Sequence, residues 1–396
     1  MHSGTRPMAR ADTRAAVLLA AGAVLAGLLR LTLFEFESGD FREFLAGWHA
    51  YIQGHGGFYA LGDDFSNYSP PYLYLLAGVA VLLPDLPALY AVKIIAVPFD
   101  FLAAWVVYRI ARLRHPDGPA PTLAALAVLF APTVFLNAAM WGQTDALHTV
   151  FLLATLHLLL TDRPGAAMTA YGVALAVKLQ ALFLAPLLLA LLLDGQLRWR
   201  NLVWIPVVYL VALAPAWVMG RPAVDLLWVY ANQAGYYASL TKNAPNLYQW
   251  MPNSAYAILY PAGLVLATAV ALLISTGAWL AGRRIGRELI VQIGTLSLVA
   301  MPYFLPKMHD RYFFAADVFS IVFAFYFPRL YLVPILVSGV SLLSYGPFLF
   351  GRTVVPLGIL AIVLAGVLVA LAAQLAHTLS SPSGPVRRVT RVDRAG

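Results

Sequence analysis

Apolar residues run through this chain in long unbroken blocks from Ala15 to His377, separated by short polar stretches. The blocks are rich in Leu, Ala and Val and lack strict alternation, so they read as helices and not as strands of a barrel. A helix rises about 1.5 Å per residue, so about 20 such residues cross the hydrocarbon of a bilayer while satisfying their own backbone amides. Spans are predicted near 14–34, 88–110, 121–138, 145–161, 165–178, 179–193, 200–219, 256–282, 288–305, 311–328, 330–350 and 353–377, about 12 in all. A further apolar segment, 69–83, opens on Ser69-Pro70-Pro71. Its prolines fix a first helical turn, but about 14 residues reach only some 21 Å, which predicts an interfacial or re-entrant helix.

Composition changes the solvent. Hydrophobic residues make up 61% of the chain and charged ones 11%, against about 25% charged in a soluble domain, so the surface faces lipid. No stretch is left for a water-soluble core. The expected fold class is an all-α polytopic integral membrane protein: a short cytoplasmic segment 1–13, one transmembrane domain 14–377, and a basic Pro/Ser/Arg tail 378–396 that reads as disordered. Residues 1–14 carry three Arg and no small-residue cleavage site, so the first span is expected to stay uncleaved. There is no Cys, which removes disulfides and thiolate chemistry.

The net charge of +8 gathers in five clusters: Arg6, Arg10 and Arg14; Arg109, Arg112 and Arg114; Arg198 and Arg200; Arg283, Arg284 and Arg287; and Arg387, Arg388, Arg391 and Arg394. Such clusters orient a membrane protein with its positive loops inside, and nucleic acid is not an expected partner. Parity then constrains the count. If 69–83 crossed, Arg109 to Arg114 would lie outside; if 165–193 were a single span, Arg198 would. The second stretch is therefore read as two short helices with Lys178 and Gln180 at their turn.

With both termini inside, the outer side receives 35–68, 141–145, the Lys178 turn, 221–253 and 305–312. Two of these are loops of roughly 30 residues, longer than ordinary connections and commonly functional when ordered. The first holds Glu35, Glu37, Asp40 and Glu43 and ends at Tyr68; one of its carboxylates can serve as general base, or the stretch is a solvated loop. Next come Asn137, Trp141, Gln143 and Asp145. Trp141 fits an aromatic belt at headgroup level, and Asp145 reads equally as an N-cap or a ligand contact. Lys178 needs a partner, a cavity, or a snorkelling path to water. Lys93 and Asp100, seven residues apart on one helical face, are expected to pair with other helices.

The segment Pro306-Lys307-Met-His309-Asp310-Arg311-Tyr312 places three potential cations where topology does not call for them. As extended chain Lys307, His309 and Arg311 share a face; as helix only Lys307 and Arg311 do. Either arrangement can hold a phosphate. The loop 231–253, with Tyr236, Tyr237, Lys242, Asn243, Asn246, Tyr248 and Trp250, offers amides and aromatic faces suited to a sugar, although interfacial aromatics are expected there in any case.

In order and spacing these pieces resemble the GT-C glycosyltransferases that use polyprenyl-phosphate sugars, and within them bacterial relatives of the GPI-anchor mannosyltransferases. The resemblance covers roughly 14–320 and rests on Gly39-Asp40-Phe41, Tyr68-x-Pro-Pro71, Trp141-Gly-Gln143-x-Asp145, Lys178-x-Gln180 and Leu305-Pro-Lys307-Met-His309-Asp-Arg311-Tyr312. It implies an inverting in-line displacement, with Asp40 as catalytic base and Lys307, His309 and Arg311 around the donor phosphate. Tyr68, Gln143, Asp145, Lys178, Gln180, Asn243 and Asn246 are the expected sugar and acceptor contacts. The implied partners are a polyprenyl-phosphate sugar, mannose or another hexose, and a lipid-linked or glycan acceptor, together with membrane lipids. The expected location is the bacterial cytoplasmic membrane with the site on its outer face. Some relatives carry an Asp-x-Asp in the first loop, linked to metal use; here Glu37-Ser-Gly-Asp40 stands in that region and Asp63-Asp64 is merely adjacent, so no cofactor is expected and use of a divalent metal is the disfavoured alternative. A transporter or lipid flippase is the alternative, in which Lys93, Asp100 and Lys178 would line a path.

Overall fold

Prolines mark where helices begin. In the computed structural model, which describes residues 6–381 apart from 236 and 283, Pro70, Pro132 and Pro164 occupy first helical positions and Pro87 and Pro356 the preceding caps. Tyr236, Arg283 and the basic tail beyond 381 lie outside the described residues. The helices in chain order are α1 (Arg6–Leu31), α2 (Ala46–Gly54), α3 (Pro70–Leu82), α4 (Ala88–Arg114), α5 (Ala120–Leu129), α6 (Pro132–Phe135), α7 (Asp145–Leu160) and α8 (Pro164–Val177). After Lys178 follow α9 (Ala185–Leu193), α10 (Trp204–Val218), α11 (Ala223–Gly235), α12 (Tyr256–Leu280), α13 (Arg287–Phe304), α14 (Phe314–Tyr326), α15 (Leu332–Phe350) and α16 (Leu357–Ser380). Two residue pairs supply the only strand structure among the described residues: Thr241–Lys242 (β1) runs parallel to Met308–His309 (β2).

The chain is thus an all-α, multi-pass membrane protein. Among the described residues, six helices are long and apolar enough to cross a bilayer, and a seventh if Ala120–Leu129 and Pro132–Trp141, bent by 45°, form one span. This is fewer than the twelve segments expected from hydropathy. The difference lies in short helices such as α7 and α8 and in α13, whose residues from Leu289 to Tyr303 are all buried. A helix enclosed by other helices need not present a full apolar cylinder to lipid, so length and hydropathy alone do not mark it.

Contacts sort the helix ends into two groups. Arg114 pairs with Glu288 at 3.2 Å, His115 Nε2 lies 2.7 Å from the Phe325 carbonyl, and Arg287 Nε donates to the Leu160 carbonyl at 3.0 Å. Near the opposite ends of α7 and α14, Gln143 and Arg311 come together with Asp40 and with Lys178 at the end of α8. The segment 164–193 breaks at Lys178, whose backbone is extended, and the halves go to different neighbours: α8 to α7 and α10, α9 to α12 and α13. Gly62 fixes another approach, because a Cβ there would stand 2.3 Å from the Met219 carbonyl at the end of α10.

Candidate functional site

The position of Asp40 is set from below, by α1 and α4. Arg30, near the end of α1, is buried and donates through Nε to Asp100 Oδ2 of α4 at 2.9 Å, and through Nη1 to the carbonyls of Ala26 and Leu129. Two helical turns earlier in α4, Lys93 Nζ donates to three carbonyls of the chain leaving α1: Leu33 at 3.1 Å, Phe34 at 2.6 Å and Phe36 at 2.7 Å. Both expected structural partners therefore lie outside α4: Asp100 pairs with α1 and Lys93 with the chain that leaves it. Ser38 then donates to the Trp141 carbonyl at 2.8 Å and accepts from Phe41 N, which starts the π-helical turn Phe41–Leu45 directly after Asp40. A second π-helical turn, Leu136–Trp141, ends at the facing motif. Such widened turns re-aim the side chains at their ends.

Asp40 Oδ2 accepts three hydrogen bonds: from Trp141 Nε1 at 2.9 Å, Gln143 Nε2 at 2.6 Å and Arg311 Nη1 at 2.9 Å. Oδ1 has no hydrogen-bond partner among the described residues, and the side chain opens onto a cavity of about 450 Å³. Gly142 explains how Trp141 and Gln143 both reach the same oxygen. Its φ of +77° lies in the left-handed region, so the chain reverses between them, and a Cβ there would press on Val92 at 3.2 Å. Trp141 is buried and stacked on Phe348 at 5.0 Å, so it belongs to the core and not to an interfacial belt. The Arg311 guanidinium lies over the same indole at 5.5 Å.

Behind this layer Asp145 is buried. It accepts from Lys178 Nζ at 2.5 Å and Asn137 Nδ2 at 2.9 Å, and its Oδ2 stands 3.9 Å from Arg311 Nε. It makes no capping bond at the start of α7, and it does not line the cavity. Lys178 does, meeting its need for a partner through Asp145 and not by snorkelling.

Of the residues predicted for the site, Asp40, Tyr68, Gln143, Lys178, Gln180, Asn243, His309 and Arg311 line one cavity. Asn246 and Lys307 do not. Asn246 is fully buried, where its side chain accepts from Tyr248 N and stabilises the short turn that follows. Lys307 adopts φ +66°, which turns its side chain away from His309 and Arg311; its ammonium donates to the Ala234 carbonyl and lies over the rings of Tyr256 and Tyr260 at 5.6 and 5.3 Å. The shared face expected for extended chain also ends at Asp310, where a 3₁₀ turn begins. Lys242 takes the vacated place. The β1–β2 pairing sets it beside His309 in the cavity wall, with its ammonium 3.7 Å from the centre of the Tyr237 ring.

The wall contains further residues that sequence reading did not select as site residues, among them Trp48, Asn67, Tyr230, Gln233 and Phe348. The apolar ones lie in apolar runs with nothing to distinguish them. Asp310 was visible in the motif but carried no assigned role; it accepts from its neighbour Arg311 N at 2.8 Å. Among the described residues no three His, Cys, Asp or Glu side chains converge as a metal ion requires.

Electrostatics divide this wall. Burial, reinforced by Arg311 and Lys242, pushes His309 down to about 3, so it is a neutral hydrogen-bonding group and the cations are Arg311, Lys178 and Lys242. Burial raises the Asp310 carboxyl to about 7 against the pull of Arg311. Below that pH Asp310 is neutral; above it a new negative charge stands beside Arg311. Anion binding in the cavity is therefore expected to weaken about tenfold as pH rises through 7. Asp310→Asn retains the acceptor for Arg311 N and should hold the low-pH affinity throughout. Inorganic sulfate, which keeps its double charge across this range, gives the affinities of both proteins at pH 6 and pH 8 that check this; equal slopes would remove Asp310 from the account.

No family model matches this sequence, and no curated protein matches it.

Proposed function

We propose that this protein is a membrane glycosyltransferase of GT-C type that moves a sugar from a polyprenyl-phosphate donor to a lipid-linked or glycan acceptor. The observation that carries the reading is the convergence of Asp40 and Arg311, 271 residues apart, at 2.9 Å on one cavity that also holds Lys178, Lys242 and amides. A carboxylate with one unengaged oxygen facing a cationic wall suits a displacement in which a hydroxyl is activated and a phosphate departs. In that step Asp40 takes the proton of the acceptor hydroxyl as its oxygen bonds to the anomeric carbon. The carbon–oxygen bond to phosphate breaks, and polyprenyl phosphate leaves with the electron pair, its charge met by Arg311, Lys242 and Lys178. Attack opposite the leaving group inverts the anomeric centre.

In this reading the chain crosses the bacterial cytoplasmic membrane about 12 times, with α3 at the interface and the cavity on the outer face. Mannose or another hexose is the favoured sugar, from the sequence resemblance. The transporter alternative is weakened, since Asp100 directs its charge to α1 and Lys93 to the chain leaving it, and neither lines the Asp40 cavity.

The test is purified protein in lipid, incubated with a panel of polyprenyl-phosphate sugars and scored for released polyprenyl phosphate. One donor is expected to be consumed, and Arg311→Ala should lower its consumption by about 10² to 10³ and weaken its binding. Sugar transfer from a nucleotide sugar with none from any polyprenyl phosphate would refute the donor class.

A further inference from the structure

At the opposite end of α4 and α7 a second cavity, of about 580 Å³, lies between the last turns of α4, the end of α7 and the turn into α8. Its wall carries Arg109, Arg112 and Arg163 and no carboxylate. α7 has 16 residues, which separates this cavity from the Asp40 cavity by about 24 Å. The two are distinct sites.

Its construction goes beyond a run of cations at a helix end. Arg109 lies 5.3 Å from the ring of Trp105, and Arg112 5.9 Å from that of Tyr108. Each arginine rests on the aromatic residue four positions before it, the spacing that brings two side chains together on one helix face. Stacking uses the face of a guanidinium and leaves its N–H edges free to donate. None of the three arginines forms an ion pair among the described residues, although Asp162 lies directly beside Arg163 in sequence. Of the His157 ring, which also lines the cavity, Nδ1 is buried without a hydrogen-bond partner. Three cations with no anion of their own, two of them held by rings, form a cradle for an oxyanion.

Trp105 is 53% exposed on the outside of the bundle, where a membrane protein meets lipid. A free phosphate has no need of such a flank; a phosphate carried on a lipid does. We propose that the Arg109, Arg112 and Arg163 cavity binds the phosphodiester of an anionic phospholipid headgroup, in the leaflet opposite the Asp40 cavity. Cationic pockets between helices at this depth are suited to that ligand, and the guanidinium edges supply paired charge-assisted hydrogen bonds to its two free oxygens. The proposal stands whether or not the Asp40 cavity is a transferase site.

Native mass spectrometry of the full chain released from phosphatidylcholine nanodiscs doped with phosphatidylglycerol tests it. The wild type should retain phosphatidylglycerol over phosphatidylcholine by about tenfold. The variant R109Q/R112Q/R163Q should fall to near parity, and so should Thr161→Trp, which fills the cavity with all three arginines in place. R198Q/R200Q, outside the cavity, should match the wild type. If the triple variant fails to fold, judged by its melting in phosphatidylcholine alone, Thr161→Trp decides. A wild type with no preference, or a Thr161→Trp variant with full preference, overturns the site. Displacement of the lipid by millimolar inorganic phosphate would overturn the lipid as its ligand.

Discussion

Asp40→Asn is expected to lower sugar transfer by about 10² to 10⁴ while the donor binds as well as before or better, because the change removes a base and keeps a shape. Asn at this position still offers an oxygen to Trp141 Nε1 and Gln143 Nε2. What it no longer offers is a group able to accept the proton of an attacking hydroxyl. It also releases Arg311 from its 2.9 Å ion pair, and a guanidinium without an anion of its own is more available to a phosphate. Donor affinity and turnover should therefore move independently, which a general loss of structure would not produce. Affinity by donor titration and rate by polyprenyl phosphate release, measured on one preparation, separate the two. An Asp40→Asn protein with wild-type turnover would end the assignment of Asp40 as base.

The residues of the cavity that could be read from the sequence were polar residues stranded in apolar surroundings. Lys178, Gln180, Gln143 and Arg311 are conspicuous because lipid gives them no reason to be there, and all four line one cavity. What the sequence could not convey was direction. Lys307 and Arg311 look equivalent in a basic segment, yet a positive φ at Lys307 and the rings of Tyr256 and Tyr260, contributed by a distant helix, send the two side chains apart. Asp145 reads equally as a helix cap or a ligand contact from the sequence, and in the structure it is the buried anion that holds Lys178. Trp48 and Phe348 gave no signal, since an aromatic residue in an apolar run reads the same whether it faces lipid, core or ligand. The number of spans is hard to read for a related reason: hydropathy measures what lipid would accept, and α13 is enclosed by protein.

Arg30 was equally silent, as a cation near the end of a first span ordinarily snorkels. Its burial instead predicts a large stability effect. Arg30 and Asp100 are 1% and 0% exposed, so deleting either leaves the other as an unpaired charge in a medium that cannot solvate it. Asp100→Ala is expected to destabilise the fold by about 3–5 kcal/mol, most of it the cost of the stranded guanidinium and not the loss of the attraction itself. Arg30 also donates to the Ala26 and Leu129 carbonyls, and those bonds give the stranded charge only partial relief. Replacing both partners with apolar residues, as Arg30→Met with Asp100→Leu, should recover most of the loss, because no charge then remains buried. The pair also fixes the end of α1 ten residues before Asp40, so the single variant should lose transfer along with stability, and the double variant should regain part of it. Reversible unfolding in bicelles gives the three stabilities. A single variant as stable as the wild type would mean that water reaches the pair, and the anchoring of Asp40 through α1 and α4 would have to be abandoned.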